Sequence, residues 1–370
     1  MPIAVTLSFY VARVFSLAVV SMLGALTAVV ALFDFIELLR RAAQRPDASL
    51  AIVSQIGLLR LPWLAMQILP FAVLLGGILA FWRLTRSSEL IVARAAGVSA
   101  WGFLAGPVLC AIASGAIATA AVSPISAAMV ARAEALDNVY LKAGGGPLAL
   151  NGGQLWLRQA DHALDPQGVA IVHAQSVALK DNELNGRAVS VFRLDGHDRL
   201  LERIEASQAT LSSGSWVLAS ARAVTPGRLP DPPRQISLPT NLTVDRVQES
   251  FAEPDTFSVW ALPEFIRLLE RSGFSAIRHR LQFQTLLALP LLCGTMSLLA
   301  AGFSMRPSRR GGVARMIGSG VASGFALFVV SKVAEEVGSS GALPPVLAAW
   351  APAAAGLLLS VALLLHLEDG

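Results

Sequence analysis

Apolar and polar positions alternate along this chain on two scales. On the coarse scale there are six apolar runs: Phe9–Ile36, Leu61–Trp82, Ser99–Val122, Leu281–Met305, Gly312–Glu336 and Leu343–Leu365. Each is about the length, ~20 residues, that a helix needs to cross a bilayer. Between the third and fourth lies a polar insert, roughly Tyr140 to Glu253, patterned on a finer scale. Gln154–Gln159 (QLWLRQ) and Ala188–Leu194 (AVSVFRL) alternate apolar with polar residues, the period of a half-buried strand. Asp195-Gly196-His197-Asp198 and Ser212-Ser213-Gly214-Ser215 carry turn chemistry, and Trp216–Val224 resumes a strand. Pro226, Pro230, Pro232 and Pro233 mark a long loop, with Pro239 just beyond it. The insert shows no ten-residue helical stripe, which argues for an antiparallel sandwich or jelly roll. After it, Phe257–Ser272 turns helical, with Leu262, Ile266 and Leu269 on one face, as an interfacial connector would.

The pattern predicts an α-helical membrane protein with six transmembrane helices and an inserted all-β domain. Residues 1–139 hold the first three spans, 140–254 the β domain, and 255–370 the connector helix and last three spans. A short piece between the second and third spans stands apart. Arg83–Val98 (RLTRSSELIVARAAGV) is charged, amphipathic and too short to cross a bilayer. Ser87 or Ser88 can cap a helix start there, Glu89 sits in the first turn and Gly97 can end it, giving a helix over about 87–98. A docking helix between two spans suits a machine driven from outside the membrane.

Composition agrees: of 370 residues 54% are hydrophobic and only 15% charged, which places the chain among membrane proteins. The net charge of +4 reflects arginines in the loops, so it is no argument for nucleic-acid binding. Both cysteines, Cys110 and Cys293, lie in apolar runs and read as buried packing, and the insert needs no disulfides. The first run lacks a basic leader and a small-residue cleavage site, so it is expected to remain as a span. Arg83, Arg86 and Arg94 in one short loop, and Arg306, Arg309, Arg310 and Arg315 in another, put both loops and both termini in the cytoplasm. The β insert then faces the other side, the periplasm in a cell that has one. Glu37–Arg60, expected as an external loop, resists the rule by carrying Arg40, Arg41, Arg45 and Arg60. Either these cations serve an anionic ligand or they snorkel to lipid headgroups.

Several chemistries find no support. There is no G-x-x-x-x-G-K-[ST], so the chain does not cradle nucleotide phosphates itself, and Gly144-Gly145-Gly146-Pro147 reads as a hinge. No H-E-x-x-H or G-x-S-x-G occurs, and His162, His173 and His197 fall in the insert without ligand spacing. Lys332, Glu335 and Glu336 near one end of the fifth span are candidates for function at membrane depth, or simply pair with one another at i, i+3 and i+4.

Several segments resemble the LptF/LptG family of lipopolysaccharide-export permeases, its LptG branch more than its LptF branch. They are Phe33–Arg41 (FDFIELLRR), Ser87–Ser99 (SSELIVARAAGVS), Trp156-Leu157-Arg158, Ser258–Leu269 (SVWALPEFIRLL), Arg309–Val313 (RRGGV) and Leu343–Trp350 (LPPVLAAW). They occur in the family's order and cover essentially the whole chain. The resemblance implies an inner-membrane subunit of an ABC transporter whose β insert is a periplasmic jellyroll. It implies no cofactor and no catalysis in this chain, with ATP and Mg²⁺ bound by a cytoplasmic ATPase dimer. Further implied partners are a paralogous permease, a single-span LptC-like protein, an LptA-like jellyroll bridge and lipopolysaccharide itself. On the same basis Arg40 and Arg41, with Arg60, Arg132 and Lys142 as weaker candidates, are expected to meet substrate phosphates. Arg86, Ser88, Glu89, Leu90 and Arg94 are expected to couple to the ATPase. Asp34 departs from the family, which often carries a basic residue there; it is expected to pair with Arg40 or Arg41, or to hold a bridging divalent cation. Small residues of the fifth span, Gly318 to Gly324, suit a lateral opening or ordinary close packing. The alternatives are the LptF paralogue, or a mechanotransmission or scaffold protein that moves no lipid through its spans.

Overall fold

The computed structural model describes residues 2–45, 48–87, 89, 99–141, 155–161, 168–180, 183–197, 199–212, 214–225, 231–240, 253–271, 275–304 and 313–368. The chain forms two compact units. One is helical and comprises Met1–Glu134, Pro254–Pro263 and Ile277–Gly370; the other comprises Ala135–Glu253 and Glu264–Ala276 and is built on β structure.

The helices are α1 (Pro2–Ala42), α2 (Leu50–Arg86), α3, a short α4 (Leu262–Arg271), α5 (Ile277–Ser304), α6 (Val313–Ser339) and α7 (Pro345–Glu368). Helix α3 runs Ala100–Ile117, passes through a π-helical turn at Ala118–Val122 and continues over Ser123–Tyr140. All except α4 are long and apolar enough to span a membrane, six among the described residues. With 41 residues α1 is about 60 Å long, twice the ~30 Å hydrocarbon layer.

That length corrects the first loop. Most of Glu37–Arg60 is helix: α1 continues to Ala42, and α2 starts at Leu50 behind Ser49, whose hydroxyl accepts the Ile52 N–H. Arg40 and Arg41 thus occupy the last turn of α1, where the helix dipole favours cations. The connector helix is also shorter than its pattern suggested. Pro254–Thr256 is a 3₁₀ turn, and the Ser258 carbonyl and hydroxyl take the Ala261 N–H before α4 begins. Leu262, Ile266 and Leu269 are buried, as their shared face required.

The helical core is apolar and tight. Phe15 of α1 lies against Phe81 of α2 with ring centroids 5.8 Å apart, and Phe103, Leu104, Cys293 and Met296 join them. Cys293 is fully buried, whereas Cys110 is only half-buried at the rim of this core. Without a hydrophobic driving force between lipid-embedded helices, close approach depends on small residues. Gly115 of α3 shows this: a Cβ there would stand 2.6 Å from the Pro290 Cα of α5.

The β unit is one antiparallel sheet in the order β1-β2-β3-β4-β5-β6. Its strands are β1 (Leu155–Ala160), β2 (Val169–Lys180), β3 (Glu183–Leu194), β4 (Leu200–Ser212), β5 (Ser215–Val224) and β6 (Arg234–Pro239). One face buries Leu157, Val172, Val191, Ile204, Trp216 and Leu238, one from each strand. Midway, the inward-outward alternation slips by one residue in three neighbouring strands. The outward pairs are Arg187-Ala188, Ser207-Gln208 and Ala219-Ser220. The pairing register is the same on both sides of these places in β3–β4 and β4–β5, so the extra residue of one strand lies opposite that of the next, and Ala188 and Ser220 take positive φ (49° and 52°). Each slip inserts one residue, so the apolar sides of both strand halves stay on the same face. The slip therefore runs as a line across β3, β4 and β5, and side chains link the first strand to the end of the last. Gln159 of β1 accepts the Thr240 hydroxyl at 2.8 Å and donates to the Pro239 carbonyl at the end of β6.

Candidate functional site

The candidate residues fall at the two ends of the helical unit. At the end where α1 finishes and α2 begins, the Arg40 Nε and Nη2 donate to the Glu37 carboxylate, both at 2.8 Å, and its side chain is 70% exposed. Arg41 lies 4.0 Å from the same carboxylate. Arg60, ten residues into α2, donates to Asp34 of α1 at 3.3 Å in a half-buried pair. Asp34 therefore joins two helices rather than pairing with Arg40 or Arg41, its near neighbours in sequence. Six residues, about 1.7 turns of α1, separate Asp34 from Arg40, so the Asp34 side chain meets α2 whereas Arg40 faces Glu37 on its own helix. Arg132 is exposed on the second half of α3, and Lys142 lies outside the described residues.

A cavity with an apolar wall and a cluster of polar groups lies between α2, α5 and α6, and it only partly shows in the sequence. Lys332 of α6 donates to Glu335 and to Gln67 of α2, both at 2.8 Å, confirming the i, i+3 pair and adding a contact across helices. Glu336 is exposed. Together with Trp63, Ser331, Asp255 and Gln282 these residues line a cavity of about 80 Å³, room for several waters. The Trp63 indole nitrogen and the Ser331 hydroxyl are buried and, among the described residues, meet no hydrogen-bond partner. Gln67 was the available signal, a lone amide inside the run Leu61–Trp82.

At the opposite end, α2 stops at Ser87. Its amide N–H returns to the Arg83 carbonyl, so Ser87 closes α2, and the helix expected over about 87–98 lies largely outside the described residues. The Ser87 hydroxyl lies 2.7 Å from the Glu89 carboxylate. Arg86 stacks over the Trp82 ring at 5.4 Å. Ser88, Leu90 and Arg94 lie outside the described residues. Ser99 starts α3, its hydroxyl accepting the Gly102 N–H at 3.2 Å.

Two of the small residues of α6, Gly320 and Gly324, face other helices of the same chain, whereas a Cβ on Gly318 would meet nothing within 4 Å. A Cβ on Gly324 would collide with Leu74 of α2, so this glycine admits α2 of the same chain. The face of α6 bearing Phe325, Val329, Val333 and Val337 is exposed, as are Phe9, Leu17 and Phe33 of α1.

With this geometry in place, the comparison with known proteins is specific. The profile of the family described as lipopolysaccharide export system permease LptF/LptG matches residues 9–366. The chain belongs to the LptF/LptG family. Among curated relatives, the lipopolysaccharide export system permease protein LptG of Escherichia coli K12 is 25% identical over 368 residues, 96% of this chain and 97% of that protein. The LptG protein of Haemophilus influenzae is 23% identical over 303 residues, covering 76% and 77% of the two chains. The LptF/LptG match spans all six membrane helices and the sheet between the third and fourth, so both units belong to a single multi-pass membrane permease.

Proposed function

We propose that this chain is the LptG-type permease of an ABC transporter that extracts lipopolysaccharide from the inner membrane and passes it to a periplasmic jellyroll bridge. The observation that carries the reading is the family match across residues 9–366, with LptG relatives aligned over nearly the full length. Arginine loading of the loops after α2 and α5 orients those ends to the cytoplasm and the β unit to the periplasm. The least buried spans, α1 and α6, offer their exposed apolar faces to an LptF-like partner and to a single-span LptC-like protein.

The chemistry follows from the residues. Arg40 and Arg41 present planar, permanently charged donors that fit phosphate in a bidentate fashion. Glu37 holds Arg40 in an exposed pair, which an incoming lipid A phosphate replaces. Arg60, Arg132 and Lys142 extend the cationic mouth. At the cytoplasmic end the segment Arg86–Arg94 docks on an LptB-like ATPase, with Glu89 facing a basic residue there. The chain binds no nucleotide of its own, and ATP and Mg²⁺ belong to that partner. The edges β1 and β6 offer backbone groups to neighbouring jellyrolls.

The test is transfer from proteoliposomes. The chain, assembled with an LptF-like partner and the ATPase, should release lipopolysaccharide to a soluble jellyroll acceptor only when ATP is supplied. ATP hydrolysis without any transfer would favour the scaffold reading instead.

A further inference from the structure

Several prolines lie inside the spans, and at two of them, Pro290 and Pro124, a side chain from another segment fills the carbonyl left without a donor, both at one place. Pro290 of α5 has no N–H for the Leu286 carbonyl four residues back. That carbonyl receives the Thr119 hydroxyl at 2.7 Å instead. Pro124 of α3 likewise has none for the Ala120 carbonyl. That carbonyl receives the indole N–H of Trp260 at 3.1 Å. Both acceptor arrangements meet at the π-helical turn Ala118–Val122, and such turns recur at functional positions in helices. The Val259 N–H donates to the hydroxyl of Ser123, the residue that follows the turn, at 3.1 Å.

Residues 254–261 are thus fastened to α3 by Val259 and Trp260. They are fastened to α5 as well, where Gln282 donates to Asp255 at 2.7 Å and His279 packs edge-on against Phe257. This segment is the first part of the helical unit after the chain leaves the β unit at Glu253. The other end of α3 begins at Ser99, directly after the segment read as the ATPase dock. Between them run 18 residues of α-helix with one interior proline, Pro107, over a length of about 27 Å. Trp260 itself is 70% exposed, so its ring contributes little to packing. An exposed side chain that fills an orphaned carbonyl holds position rather than core.

We propose that Trp260 is a positioning residue for export: it clips the strand of chain leaving the β unit onto the π turn of α3, so that movement of α3 driven at its Ser99 end reaches the β unit. This rests on the reading of the chain as an ATPase-driven permease.

The test uses Trp260→Phe, which keeps the ring and deletes the N–H, and Ser123→Ala, which deletes the acceptor for Val259. In the purified full-length protein, amide exchange over 254–261 should rise about fivefold in each variant, the factor that one lost hydrogen bond gives. Exchange over the body of α5 should not change. In the assembled transporter, ATP turnover should stay within about twofold of wild type, while lipopolysaccharide delivered per ATP falls several-fold. Wild-type exchange over 254–261 in both variants would overturn the clip. Faster exchange with unchanged delivery per ATP would overturn its role in export. A wild-type complex that hydrolyses ATP and delivers nothing would instead overturn the export reading, and the exchange data would still decide whether the clip exists.

Discussion

The two units break their regular backbone patterns in opposite ways. In the β unit the breaks sit side by side on neighbouring strands, at Ala188, Ser207 and Ser220, and the apolar sides of both strand halves stay on the same face. In the helical unit the breaks are isolated prolines, and at two of them, Pro124 and Pro290, the orphaned carbonyl is filled by a side chain far away in sequence. The sheet absorbs irregularity locally, because an extra residue in one strand is matched in the next. A helix has no neighbouring strand to match the break, and in lipid no water reaches its carbonyls; at Pro124 and Pro290 the donor comes from another segment. The units also hold charge differently. The β unit buries one cluster, where Arg193 of β3 donates to both Asp161 oxygens and to Glu202 of β4. In the helical unit the pairs Arg40–Glu37 and Arg60–Asp34 lie at the end where α1 meets α2.

The largest test of this contrast is Arg193→Met. Burial opposes the charge of Arg193, but hydrogen bonds to Asp161 and Glu202 outweigh it and lift the guanidinium above its ordinary range. Removing the cation takes the guanidinium from both Asp161, which is only 5% exposed, and Glu202, and should cost about 3–5 kcal/mol. Amide exchange of β2–β4 in the full-length protein should accelerate while α2 and α5 stay protected. Equal loss in the helices would mean that the units do not stabilise themselves separately.

Next comes Thr119→Val, nearly isosteric, which leaves the Leu286 carbonyl without its donor. Destabilisation of about 1–3 kcal/mol is expected, seen as faster exchange around Pro290. No effect would show that the proline break needs no distant donor. The opposite sign is expected for Ala188→Gly. Ala188 is exposed and sits at positive φ, so glycine relieves strain and should raise the unfolding midpoint by about 0.5–1 kcal/mol of stability. A loss would mean that the bulge is unstrained.

The smallest effect is at the β3–β4 turn. The N–H groups of Arg199 and His197 bond the Asp195 carboxylate and hold its pKa below the usual carboxylate range. A carboxylate with a lowered folded pKa contributes stability above its unfolded value, near ~3.9, and loses it as pH falls through the folded one. Asp195→Ala should therefore quicken exchange of the 197 and 199 amides at neutral pH, and the wild type should approach the mutant only in acid. A difference that persists at the lowest pH would point to shape rather than charge.

Much of this fold is legible from hydrophobic periodicity. The six spans, β1, β5 and the buried face of α4 follow their patterns closely. β4 does not, because the slip at Ser207-Gln208 breaks its alternation into two short pieces that each look like loop. β2 escapes because its first half, Val169–Val172, is an unbroken apolar run with no period, and β6 because prolines surround it. At the site, the local pair Lys332–Glu335 is readable at helical spacing. Asp34–Arg60, Lys332–Gln67 and Trp260–Ala120 are not, since spacing in sequence says nothing about which helix lies beside which. The prolines that create the need for Thr119 and Trp260 are visible; the residues that meet it are not.

The central claim is that the cationic end of α1 takes lipopolysaccharide phosphate. A photoreactive residue at position 40 or 41 in living cells tests it most directly. The account predicts a lipopolysaccharide adduct that forms only when the ATPase and the paralogous permease are present. A protein that still copurifies with its ATPase yet gives no adduct at either position would contradict it, leaving Arg40 and Arg41 as residues that reach for lipid headgroups.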